Sequence, residues 1–227
     1  MILGKGSAQT QTAIIQEYHQ FLEGQTFCPK ILKMLKGAPG VMVRRIGKPL
    51  SAWEDEDILG LFPGREKQAR YSYCAFLAFL FFRGYRRATV PLLTQLPTSL
   101  MRMHREALLP SRQHLQEACQ ALKYETQRGS RELQLLIWLL AVVGKPLKDL
   151  KRTDFEAFRD EYQTWYRQAK RRKDGGPDPS VYRLERYLIH WKIIPPARKV
   201  FKHEEYFARL VHAPIRDGIL AYIHWYE

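Results

Sequence analysis

Along the first quarter of the chain, apolar side chains recur at helical spacing. Ile14, Ile15, Tyr18, Phe21 and Leu22 follow the i, i+3, i+4, i+7 rule, which predicts an amphipathic helix ending at Gly24. A second helix is predicted from about Pro29 to Lys36, stopping at Gly37. After a Gly47-Lys48-Pro49-Leu50 turn, Ser51 precedes Trp53, Ile58, Leu59 and Phe62, and acidic residues fill the first turn, where the helix dipole favours them. The longest predicted helix of this half runs from Arg65 to Arg83, with Tyr73, Phe76, Leu77, Leu80 and Phe81 on its core face and Gly84 at its end. Leu96–Ser111 is richer in Pro, Ser and Thr than its surroundings, so 96–114 reads as a linker or linking helix.

The pattern then repeats. Gln116-Glu117 opens a helix as Gln16-Glu17 does, and Gly144-Lys145-Pro146-Leu147 returns the earlier tetrapeptide 97 residues later. Asp154, Phe155 and Phe158 echo Asp57, Ile58 and Phe62, while Tyr182, Leu184, Tyr187, Leu188 and Trp191 echo the stripe of the long helix. A tandem duplication of a four-helix unit is the economical reading. It gives an all-α chain of two bundles, at 12–95 and 115–210, with a terminal helix over 211–227 that resembles the start of a third unit.

Composition narrows the partners. With 37 Lys and Arg against 23 Asp and Glu, the formal charge is +14, a field that draws in polyanions. The longest apolar runs, around Phe76–Phe82 and Leu135–Val143, are shorter than the roughly 18 residues needed to cross a bilayer, so no membrane association is expected. Met1–Gln11 lacks the apolar core of a secretory signal, so a reducing, cytoplasmic compartment is expected, on the nucleoid in a bacterium. Cys28, Cys74 and Cys119 show no paired spacing and are expected to be small buried or half-buried hydrophobes. His104, His114 and Cys119 match no zinc pattern, no phosphate-cradling glycine loop is present, and the acids Glu54–Asp57 read as a helix start, so no cofactor or metal is expected.

The turn Gly-Lys-Pro-Leu, an acidic short helix, a basic loop and a helix rich in aromatic and basic residues resemble the core-binding region of tyrosine recombinases and phage-type integrases. The likeness covers about Ala13–Leu93 and, more weakly, Leu115–Phe201; Gly144–Phe158 and Tyr71–Tyr85 carry it best. Pro63-Gly64 in the first unit departs from the pattern. The resemblance implies SAM-like bundles lying across one face of double-stranded DNA, in the integration or recombination of a mobile genetic element. It also implies a catalytic recombinase domain, or homologous subunits on DNA, as partners. The family's catalytic set is incomplete here: none of the seven histidines has an arginine three residues on, and Lys145 and Pro146 stand where the first catalytic arginine would fall. The chain is therefore expected to bind and position DNA without cleaving it.

Two basic clusters are the candidate grip. The first comprises Arg65, Lys67, Arg70 and Tyr71 at the start of the long helix, with Arg83, Arg86 and Arg87 at its end. The second is Lys170, Arg171, Arg172 and Lys173, preceded by Arg167 and continued by Arg183, Arg186 and Lys192. Contacts of this kind give affinity and register rather than sequence information. The five tryptophans sit at apolar helical positions and are expected to pack. A basic all-helical RNA-binding or protein-scaffold module is the alternative, distinguished by scattered charge and an exposed apolar patch.

Overall fold

The computed structural model describes residues 8–64, 67–96, 116–118, 120–121, 129–170, 178–197 and 218. They form α-helices and short 3-10 turns, with no strand among the described residues: the chain is all-α. It divides into two compact units, Met1–Pro195 and Pro196–Glu227. Only residues 196, 197 and 218 of the second are described, so the linker (beyond Leu96) and the predicted terminal helix lie outside the described residues, Gly218 excepted.

In the first unit, α1 (Ala8–Glu23) buries Tyr18 and Leu22. Helix α2 spans Pro29–Ile46, passing through Gly37, where the sequence predicts a stop, and through Pro39 and Gly40. Glycine and proline disfavour a helix interior, by about 1 and 3 kcal/mol. Here the burial of Leu35, Ala38, Pro39 and Met42 along one side, in packing on α1 and α4, outweighs that preference. The helix ends where the backbone turns left-handed, at Gly47 with φ +69°, whose N–H donates to the Val43 carbonyl at 2.9 Å.

A 3-10 turn (Leu50–Ala52) leads into α3 (Asp55–Leu59), whose start is closed by a reciprocal capping box between Glu54 and Asp57. Helix α4 (Lys67–Phe82) is buried at every residue from Ser72 to Phe81. Its described part has 16 residues, against the 18 of α2; Arg65, where the sequence predicts its start, lies outside the described residues. A short α5 (Val90–Gln95) follows, its N-terminus capped by the Thr89 hydroxyl accepting from the Leu92 N–H. This helix was not predicted, although Thr89 before Val90-Pro91 is a helix-start signal.

The second half supplies α6 (Gly129–Val143), α7 (Arg152–Lys170) and α8 (Pro179–His190). Helix α6 packs on α7 and α8, as α2 packs on α4. The two halves meet where α4 lies on α6 and where α5 touches α6 and α7, and their buried side chains form one continuous cluster. Across this junction the Val90 N–H donates to Glu161 at 2.8 Å.

The two Gly-Lys-Pro-Leu turns share one local arrangement. Lys48 donates to both oxygens of Asp57 at 2.9 Å, and Lys145 does the same to Asp154 at 2.9 and 3.0 Å. Each aspartate also accepts the N–H three residues before it, from Glu54 and Lys151. For Asp57 the backbone bond and the Lys48 ammonium hold the carboxyl below its ordinary range. For Asp154 burial pushes upward, but Lys145 and the backbone bond prevail and the carboxyl again lies low. At 97 residues' separation the buried counterpart of Phe158 is Leu61, whereas Phe62, the expected counterpart, is only partly buried. Tyr182, expected on the apolar stripe of α8, points outward and is 42% exposed.

Candidate nucleic-acid interface

Helix ends place most of the candidate cations. Arg70 is exposed on the first turns of α4, and Tyr71 beside it is half-buried. At the other end, Gly84 (φ +71°) reverses the chain and the N–H groups of Tyr85 and Arg86 both donate to the Leu80 carbonyl, at 2.9 and 3.2 Å. Helix α8 ends the same way: Lys192 takes the left-handed position (φ +57°), and Ile193 and Ile194 donate to Leu188 at 2.9 and 3.4 Å. Arg87 and Lys192 leave these matching turns exposed, and neither has an ion pair among the described residues.

The remaining predicted arginines divide by what they touch. Arg83 is 55% exposed, lies 3.8 Å from Glu17 and stacks its guanidinium 5.9 Å from the Phe79 ring centre, an exposed pair that costs little to exchange for a phosphate. Arg86 is different. Its side chain is 15% exposed, it donates to the Trp53 carbonyl and pairs with Asp55 at 2.7 Å, and it ties α3 to the end of α4. Arg183 pairs with Glu132, whose side chain is wholly buried, and also donates to the Ser180 hydroxyl at 2.8 Å. Both guanidiniums are thus engaged within the fold, where they position the surrounding elements. Arg186 and Arg167 are exposed. Lys67 and Lys170 are the terminal residues of α4 and α7; Arg65, Arg171, Arg172 and Lys173 lie outside the described residues.

Sequence reasoning missed a further row of cations. Because α2 continues past Gly37, Lys30, Lys33, Gly37, Gly40 and Arg44 fall at alternating spacings of three and four residues and form one exposed stripe, with Arg45 beside it. None of these four cations has a protein partner among the described residues, whereas Lys36 on the same helix is paired with Glu23 at 2.5 Å. Apart from the chain neighbours and the backbone of α2 itself, nothing among the described residues lies within 4 Å of where a β carbon on Gly37 or Gly40 would sit. The signal was present in the spacing, but ending the helix at Gly37 cut it in two.

Other chemistry finds little support. Tyr162 is fully buried, donates to Asp178 at 2.6 Å and accepts from Arg131 at 2.8 Å. Burial, then the bond to Asp178, raises its pKa, the opposite of what a phenolate nucleophile needs. Trp53 and Trp138 are buried and Trp165 and Trp191 partly so, leaving these rings in packing roles; Trp225 lies outside the described residues. Of the cysteines, Cys74 is buried but Cys28 is exposed, contrary to expectation; Cys119 is outside the described residues. No cluster of three metal-ligating side chains occurs among the described residues, and no helix there is long and apolar enough to cross a membrane. No protein-family model, no curated protein and no solved structure matches the chain.

Proposed function

We propose that the chain is the DNA-clamping region of a tyrosine-recombinase-like protein, built from two SAM-like helical units and acting in DNA integration or recombination, with strand cleavage supplied by a separate catalytic domain. The observation that supports this reading is the pair of similar helix ends at Gly84 and Lys192, where Arg87 and Lys192 stand exposed with no ion pair among the described residues. The charge of +14 supplies the attraction to a polyanion. The resemblance described for Tyr71–Tyr85 and Gly144–Phe158 supplies the family.

The test is binding of a labelled duplex of arbitrary sequence, and of its single strand, across a salt series. It compares the chain with a variant carrying Arg171→Ala, Arg172→Ala and Lys173→Ala. The expected result is duplex binding whose log affinity falls by about 0.9 per neutralised phosphate for each tenfold rise in salt, weakened in the variant. Absence of duplex binding at low salt overturns the reading and turns attention to RNA or a protein scaffold.

A further inference from the structure

The two halves turn different helices outward. The junction between them is α4 on α6, and both are core: α4 is buried from Ser72 to Phe81, and α6 from Leu135 to Val142. By the Gly-Lys-Pro-Leu alignment, however, α6 corresponds to α2, and by order along the chain after the tetrapeptide α8 corresponds to α4. In the first half the helix before the tetrapeptide is therefore outside and the aromatic helix inside. In the second half the arrangement is inverted: α6 is inside, and α8 exposes Tyr182, Arg186 and His190 at spacings of four.

The side chains follow this inversion. Counterparts of Lys30, Lys33, Arg44 and Arg45 in the second half are Gln127, Ser130, Ala141 and Val142, and the last two are fully buried. A cation at either buried position would be desolvated in the shared core. The α2 stripe keeps four cations without an ion pair among the described residues, and α2 itself carries no acid. From Lys30 to Arg44 it runs about 21 Å at 1.5 Å per residue, enough to reach phosphates on both sides of a major groove about 12 Å wide.

We infer that the two halves grip duplex DNA non-equivalently: the first half lays the α2 face, through Lys30, Lys33, Arg44 and Arg45, against the phosphate backbone, and the second half has no matching grip because the counterparts of Arg44 and Arg45, Ala141 and Val142, are core. This rests on the duplex-binding reading above. It also means that the bound site need not contain two copies of one half-site.

The experiment is the same duplex titration with a variant carrying Lys30→Gln, Lys33→Gln, Arg44→Gln and Arg45→Gln. A second variant, Lys148→Gln with Lys151→Gln, removes two exposed cations of the other half. The α2 variant is expected to lose at least about 30-fold in affinity at low salt and to flatten the salt slope by about 3.6, for four phosphates at 0.9 each. The second variant should change affinity by less than about threefold. Failure of the unaltered chain to bind duplex overturns the functional reading itself. Duplex binding that survives intact in the α2 variant leaves that reading standing and overturns this inference, as does a larger loss in the second variant. A photo-crosslinker on the exposed Cys28, at the N-terminus of α2, in a Cys119→Ser background gives an independent reading: labelled DNA supports the placement, and unlabelled DNA in a formed complex overturns it.

Discussion

Gly84 and Gly144 pack backbone against backbone: a β carbon on Gly84 would lie 2.9 Å from the Gly144 carbonyl oxygen, and one on Gly144 would lie 2.9 Å from the Gly84 Cα. Both residues are left-handed, at φ +71° and +66°. They are the ends of α4 and α6, so the closeness of these two turns sets how tightly the halves can join. Gly47 is an internal control, because it has nearly the same φ, +69°, with nothing within 4 Å. An alanine there meets only the left-handed penalty of roughly 1–2 kcal/mol. Gly144→Ala adds a clash with backbone that has no side-chain freedom to yield. Chemical denaturation should show Gly144→Ala clearly more destabilising than Gly47→Ala. Equal losses would mean the junction relaxes without cost.

Arg183 illustrates how a cation read as a DNA contact can be spoken for by the fold. Its guanidinium faces Glu132, which is wholly buried and has one oxygen, Oε2, without a hydrogen-bond partner among the described residues. Truncating one member of a buried pair strands the other and costs about 3–5 kcal/mol. Arg183→Ala should therefore lower the denaturation midpoint sharply, and Arg183→Leu combined with Glu132→Leu should recover most of that stability. If Arg183→Ala leaves the midpoint unchanged while weakening duplex binding, the residue serves DNA rather than the fold.

The local signals in the sequence reached as far as local physics reaches. The apolar faces of α1 and α4, the glycine end of α4 and the duplicated Gly-Lys-Pro-Leu turn were legible because spacing and cap residues determine them. The passage of α2 through Gly37, Pro39 and Gly40 was not, because it depends on burial against helices distant in the chain. The candidate site divided in the same manner. Exposed cations could be named from charge runs, but Arg86 and Arg183 find their acids 31 and 51 residues away, and nothing nearby announces the pairing. The α2 stripe lay unseen behind the misplaced helix end.

Asp178 gives the fold a defined sensitivity to acid. Burial pushes its carboxyl upward, but the Tyr162 hydroxyl and the Ser180 N–H, which donate to it at 2.6 and 2.9 Å, outweigh that effect, and its pKa lies below the ordinary value. A carboxyl depressed in the folded state contributes stability above its unfolded pKa, near ~3.9, and loses it as pH falls through the folded value. Asp178→Asn should therefore lower the melting temperature at neutral pH, with the difference narrowing as pH drops below about 4. A gap that stays constant down to strongly acid pH would show that the carboxylate charge contributes nothing.

Lys192 sets stability against binding at a single position. It is a non-glycine residue in the left-handed region, at φ +57°, in the turn where the first half uses Gly84. A lysine there is disfavoured by roughly 1–2 kcal/mol, and glycine removes that strain without disturbing the bonds of Ile193 and Ile194 to Leu188. Lys192→Gly should thus raise the melting temperature. Under the DNA-clamping reading it should also weaken duplex binding and flatten the salt slope by about 0.9, one phosphate contact. A more stable protein with unaltered binding would assign the lysine no part in the grip. A less stable one would show that its side chain does structural work that its exposed position gives no reason to expect.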